Sequence, residues 1–223
     1  PTDSDNYAAS PPIKKTITVN KKNVTIAFAS VDQTTNVNGN DINNTASIST
    51  GKIGSQTATI AYTRTAGTAG TAATVDETTG VVSIGSVAGS VTIQAKVSDQ
   101  DLYYTSSAIT YDITINKLST SITFDNTLPD SITYGETLNI AATEDSSIAG
   151  TVSYSISTED DNTAIASVSD VGLVSVTQSG QFTAIATFTP TASDTYAVSS
   201  PIKKTITVSG VTPSYLFNIP DSI

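Results

Sequence analysis

Tyr196-Ala-Val-Ser-Ser-Pro-Ile-Lys-Lys-Thr-Ile-Thr-Val208 decides the fold, because the same phrase stands near the start of the chain as Tyr7-Ala-Ala-Ser-Pro-Pro-Ile-Lys-Lys-Thr-Ile-Thr-Val19. A diverged copy, Tyr103-Tyr-Thr-Ser-Ser-Ala-Ile-Thr-Tyr-Asp-Ile-Thr-Ile115, lies between them, and the three leading tyrosines are 96 and 93 residues apart. A long, fixed period is the mark of a repeat array. Within the phrase Ile13, Ile17 and Val19 share one face while Lys14, Thr16 and Thr18 share the other, the period of two that a half-buried strand requires. Lys15 interrupts the apolar face, and its counterpart in the middle copy is Tyr111. Both suit a rim position, where a long stem packs and a polar tip reaches water.

Working outward from the phrase divides the 223 residues into four pieces. Residues 1–19 read as the closing strands of a preceding repeat. Residues 20–117 and 118–208 are two full repeats of about the usual single-domain size. Residues 209–223 open another, since Tyr215-Leu-Phe-Asn-Ile-Pro-Asp-Ser-Ile223 aligns with Phe124-Asp-Asn-Thr-Leu-Pro-Asp-Ser-Ile132. The near-identity of the outer two phrases, 189 residues apart, suggests that a pair of repeats is the unit of duplication.

The first repeat carries β-forming segments at Val24–Phe28, Ala46–Ile48, Thr57–Tyr62, Val81–Ile84, Val91–Val97 and Ile109–Ile115. Asn38-Gly39-Asn40-Asp41, Gly67–Gly70, Thr79-Gly80 and Ala88-Gly89 punctuate them with turn chemistry. Thr63–Thr71 reads as a Gly/Ala/Thr-rich loop absent from the second repeat. In the strand after Gly180, Phe182, Ala184, Ala186 and Phe188 fall on one face, large at the ends and small between, as Val91, Ile93, Ala95 and Val97 do after Gly89. Such a face predicts a second sheet approaching closely at its middle. Short strands with polar turns and no 3.6-residue period make the chain all-β: tandem antiparallel β-sandwich domains.

Composition agrees with strand surface. Apolar residues are 38% and charged residues 13% of the chain, and Ser and Thr are roughly a third of it. Disorder through charge is excluded by that low charge and by the abundance of Val, Ile and Thr. A net charge of −10 argues against nucleic acid and anionic membrane surfaces, which need clustered Lys and Arg. No apolar run approaches a membrane span, and the first residues show no signal-peptide pattern. With no His and no Cys, the usual triads, thiolate nucleophiles and imidazole metal ligands are missing. No acidic pair is flanked by the aromatic platforms of a glycosidase cleft, and no glycine-rich phosphate loop is present. These features point away from an enzyme and from any resident cofactor.

Three motifs, taken in order, resemble the bacterial Ig-like repeats of the group-2 and MBG-like kind found in large surface adhesins and secreted repeat proteins. They are Ile122-Thr-Phe124 with Leu128-Pro-Asp130 and Thr133-Tyr-Gly135-Glu136; Ala166-Ser-Val168, Gly172-Leu-Val174-Ser-Val176 and Gly180-Gln-Phe182; and Asp194-Thr-Tyr196 leading to Thr205-Ile-Thr-Val208. The resemblance covers 118–208 and the second half of 20–117. It implies Ig-like sandwiches, an extracellular or cell-surface location in a bacterium, and a structural role as an adhesin stalk or filament spacer. The partners it implies are neighbouring repeats of the same chain, or copies of itself in a fibre. A carbohydrate- or protein-binding module is the other role such domains fill.

Few residues qualify as sites. Asp5, Asp101 and Asp194 each precede the repeated tyrosine by two residues, with Asp3 and Asp99 two further back in the first two copies and Ala192 in the third. Asp99, Asp101 and Asp194 are candidate Ca2+ ligands, because hard cations take six to eight oxygens; the simpler reading is an Asx turn. Glu159-Asp160-Asp161 and Asp76-Glu77 read as solvated loops. Asn23-Val-Thr25 and Asn43-Asn-Thr45 satisfy the N-glycosylation rule, and Asp130-Ser131-Ile132 and Asp221-Ser222-Ile223 repeat an Asp-Ser-aliphatic pattern resembling a bacterial O-glycosylation motif. A tight turn capped by Ser is the alternative for Ser131 and Ser222. Thr-x-Thr runs such as Thr57-Ala-Thr59 are solvent-facing strand positions rather than an ice-binding face.

Overall fold

The computed structural model describes residues 5–70, 73–98, 100–125, 127–157, 159 and 162–214. Eighteen strands and one helical turn follow one another in an order that repeats once. The first set is β1 (Thr25–Phe28), β2 (Gln33–Asn36), β3 (Ile42–Asn43), β4 (Ala46–Thr50), β5 (Ile60–Ala66), β6 (Ala73–Val75), β7 (Val81–Ile84), β8 (Gly89–Val97) and β9 (Ile109–Asn116). The second is β10 (Ile122–Phe124), β11 (Ser131–Thr133), β12 (Leu138–Asn139), β13 (Ala142–Glu144), β14 (Gly150–Ile156), α1 (Asn162–Ile165), β15 (Ala166–Val168), β16 (Leu173–Val176), β17 (Gly180–Pro190) and β18 (Ile202–Ser209).

Each set builds the same two layers. One layer is a four-stranded sheet, ordered β2-β9-β8-β5 and β11-β18-β17-β14. The facing layer is split into β1-β4 with β3-β7-β6, and β10-β13 with β12-β16-β15. Both repeats are therefore all-β sandwiches. Pairing is antiparallel throughout except for β2 with β9 and β11 with β18, which are parallel. The reason is topological: the opening strand crosses from one layer to the other without reversing, so its second half runs alongside the closing strand. β2 escaped the sequence reading because Gln33-Thr-Thr-Asn36 carries no apolar alternation.

The cores follow the strand faces. Phe182, Ala184, Ala186 and Phe188 are fully buried, as are Val91, Ile93, Ala95 and Val97. Burying a side chain the size of Phe contributes about 1.5–3 kcal/mol, so each of these strands anchors its layer. Tyr62 and Tyr154, at equivalent positions on β5 and β14, reach across: their hydroxyls accept the backbone N–H of Ala46 at 2.9 Å and of Ala142 at 3.3 Å. Gly80 and Gly172 turn the chain with φ of +74° and +82°; a Cβ there would lie 2.6 Å from the Tyr62 ring or 2.4 Å from the Ile140 carbonyl oxygen.

Three local features differ from the sequence reading. Residues 63–66 extend β5, with a bulge between Arg64 and Ala66, and Ala69 beyond them is buried in the first core, so the Gly/Ala/Thr stretch is built structure and not an open loop. Residues 5–19 carry no strand, and Ile13, Ile17 and Val19 are exposed. The identical Ile202–Val208 is a strand because β17 and β11 flank it; Ile13–Val19 has no such flanking strands among the described residues. Lys204 sits half-exposed at the rim and pairs with the Asp130 carboxylate, which holds that carboxyl below the usual aspartate range. Its counterpart Tyr111 is instead buried, edge-on to Phe28 with ring centres 4.6 Å apart, and its hydroxyl finds no partner. Burial, and then the neighbouring Tyr62, push the Tyr111 phenol up to about 12.

Candidate functional site

The repeated Tyr phrase builds two things: the end of a strand and a junction. Ser106 and Ser199, three residues after Tyr103 and Tyr196, are buried and bond back to the long strand on both sides. Ser106 Oγ accepts the N–H of Val97 at 3.0 Å while its own N–H donates to the Val97 carbonyl at 3.1 Å. Ser199 does the same with Phe188, at 2.9 and 3.0 Å. The phrase then turns into the closing strand. Sequence reasoning passed over this serine, although it stands at the same place in all three copies as Ser10, Ser106 and Ser199.

The tyrosine itself marks where the incoming linker is held. Lys22 N–H donates to the Leu102 carbonyl at 2.9 Å and Tyr104 N–H to the Lys22 carbonyl at 3.1 Å. In the second repeat Leu118 N–H donates to the Thr195 carbonyl at 2.9 Å and Ala197 N–H to the Leu118 carbonyl at 2.8 Å. Each makes a one-residue parallel bridge, Lys22 to Tyr103 and Leu118 to Tyr196. The Tyr103 ring is fully buried, and its hydroxyl accepts the Ile53 N–H at 3.1 Å.

At Leu118 the two repeats meet. Its backbone is bound to the second repeat, while its side chain packs against the core of the first. Around it, Ala88 N–H donates to the Asp194 carbonyl at 2.9 Å, Thr195 Oγ1 donates to the Ser86 carbonyl at 2.6 Å, and Thr120 Oγ1 donates to the Ala197 carbonyl at 2.8 Å. The turn between β7 and β8, the linker and the turn between β17 and β18 thus form one bonded seam.

Asp194 contributes to that seam through its backbone oxygen. Asp101 lies exposed in the equivalent turn of the first repeat, and Asp99 falls outside the described residues. Among the described residues no three carboxylates come together, and Ala192 stands where the paired carboxylate of the second turn would be. Asp101 and Asp194 serve different junctions, so the donor set around either falls short of the oxygens a Ca2+ shell requires. Of the modification candidates, Asn23 and Asn43 are exposed, and Thr25 Oγ1 is bonded to Ser49 and Thr50. Ser131 is exposed and begins β11, so it belongs to a strand and not to a tight turn; Ser222 lies outside the described residues. Asp76 and Asp145 behave as Asx-turn residues, their carboxyls held low by the backbone N–H groups of Thr79 and Thr78 and by the hydroxyl and N–H of Ser147. No helix among the described residues is long and apolar enough to cross a membrane.

No family model matches this chain, and no curated protein matches it. Solved structures of multi-domain β proteins do. Drosophila N-cadherin EC1-4 is 14% identical with a TM-score of 0.32, covering 86% of this chain and 51% of that one. Protocadherin Gamma B2 domains 3–6 are 14% identical with a TM-score of 0.37, over 87% and 53% of the two chains. The fibronectin(III)-like modules of Clostridium thermocellum CbhA are 17% identical with a TM-score of 0.33, over 87% and 100%. This chain spans about half the length of the Drosophila structure it matches.

Proposed function

We propose that the chain is a structural spacer: a segment of a bacterial extracellular or cell-surface repeat protein, an adhesin stalk or filament, in which residues 20–117 and 118–208 are successive rigid units. The observation that carries this reading is the seam at Leu118, where backbone, hydroxyl and apolar contacts tie one repeat to the next. A linker held at both ends restricts swing, and a run of such units projects whatever lies at its tip. The net charge of −10 keeps neighbouring stalks soluble and mutually repelling. Exposed Ser131, Asn23 and Asn43 are available to glycan transfer on such a surface, and intact-mass analysis of the native protein reads this directly.

Small-angle scattering on the chain, alone and with a flexible Gly-Ser insertion after Lys117, tests the spacer reading. The expected result is a single elongated shape that the insertion broadens into an ensemble. An unaltered chain already as variable as the insertion variant overturns it.

A further inference from the structure

The parallel pairs β2–β9 and β11–β18 join the opening strand of each repeat to its closing strand. In the second repeat the chain arrives at Leu118, beside Tyr196, and leaves after Ser209 at the other end of β18. β11 runs in the same direction as β18, with Ser131 opposite Thr207 and Thr133 opposite Ser209. Tension along the chain therefore draws β11 back toward Leu118 and β18 forward toward Thr212. The two strands are made to slide lengthwise past each other. Hydrogen bonds lying across the pull share the load and break together, whereas a pair opened from one end loses them singly.

The contacts around these pairs lengthen them at both ends. Beyond the last register pair, Val37 N–H donates to the Asn116 carbonyl at 3.0 Å and Tyr134 N–H to the Ser209 carbonyl at 2.8 Å. Before the first, an aspartate fastens each opening strand to its partner by a different bond. Asp32 Oδ1 accepts the Asp112 N–H at 3.0 Å in the first repeat. In the second, the Asp130 carbonyl accepts the Thr207 N–H at 3.0 Å and its carboxylate pairs with Lys204. The closing strand is bonded on its other edge along β8 or β17, which spans the whole layer, so load reaching it spreads into the core strand.

We propose that β2–β9 and β11–β18 are tension-bearing clamps, latched by Asp32 and Asp130, and that each repeat resists stretching along the chain far better than opening across it. The use of such strength rests on the spacer reading above, but its measurement does not, since junction stiffness is read by scattering and clamp strength by force.

Single-molecule stretching of the whole chain between its ends is the test. Two unfolding events are expected, at forces well above those for pulling the second repeat open between cysteines placed at Thr137 and Thr212, which lie at one end of the β11–β18 pair. The chain has no native cysteine to interfere. Asp32→Ala is expected to lower the force of one event and Asp130→Ala that of the other, because forced unfolding follows the unfolding rate and the latch must break first. Thr183→Ala, which removes a hydroxyl contact to Thr205 on the antiparallel β17–β18 pair, is expected to lower neither. Equal forces in the two pulling directions, or aspartate variants no weaker than the threonine variant, overturn the proposal.

Discussion

Thr195 Oγ1 donates a hydrogen bond to the carbonyl oxygen of Ser86 at 2.6 Å, joining residues 109 positions apart and two sandwiches that otherwise have separate cores. The homologous turn of the first repeat has Leu102 at that position, exposed and without a hydroxyl to donate. The shared Asp-x-Tyr phrase thus holds the linker in both repeats, while the residue at x tunes what the turn offers the domain in front of it.

Thr195→Val keeps the shape and removes the donor. Because the bond is exposed, its loss should change the stability of either repeat by less than about 1 kcal/mol. The spread of distances between spin labels placed one on each repeat should nevertheless widen, and an unchanged distribution would show that Leu118 alone sets the junction.

Ser199→Ala and Ser106→Ala should each cost about 1–3 kcal/mol, because a buried N–H, of Phe188 or Val97, loses its partner. Urea denaturation of the chain checks this. Loss confined to the repeat that carries the substitution would show the two cores acting as separate folding units.

Tyr111→Phe should stabilise the first repeat by about 1 kcal/mol, since the ring packing against Phe28 stays and an unpartnered buried hydroxyl goes. The folded-state phenol is raised to about 12, so the wild type contributes stability below the unfolded value near 10 and loses it as pH climbs between the two. Thermal melts from pH 9 upward should fall for the wild type and fall less for the variant.

Asp76, Asp130 and Asp145 are all held below the ordinary aspartate range. Their contribution is present above the unfolded value and disappears as pH drops through the folded ones, so stability should decline on acidification below about pH 4. Asp130→Asn should shallow that decline and reduce its dependence on salt, because the Lys204 pair is exposed and screened. Melts across pH 2–6 at two ionic strengths measure both effects.

Legibility followed local pattern. β7 was read to the residue as Val81–Ile84, and the buried face of β17 was visible as Phe182, Ala184, Ala186 and Phe188, because a period of two is written in the side chains themselves. β2 was not, since Gln33-Thr-Thr-Asn36 is held by its neighbour β9 and by nothing in its own composition. The serine of the Tyr phrase was hidden for a related reason: in a chain roughly a third Ser and Thr, only burial separates one structural hydroxyl from the rest. The acidic positions read as Ca2+ candidates were legible as a recurrence, but their side chains do not gather, and Asp194 acts through its carbonyl.

By itself the sequence determined the all-β class, the repeat spacing and the apolar faces, all consequences of strand geometry acting over a few residues. Tertiary structure alone decided that the opening strand pairs parallel to the closing one, that Asp32 and Asp130 latch it, and that Leu118 belongs to two repeats at once. Those contacts join residues far apart in the chain, and hydrogen bonds to backbone oxygens leave no residue type that a sequence pattern could reveal.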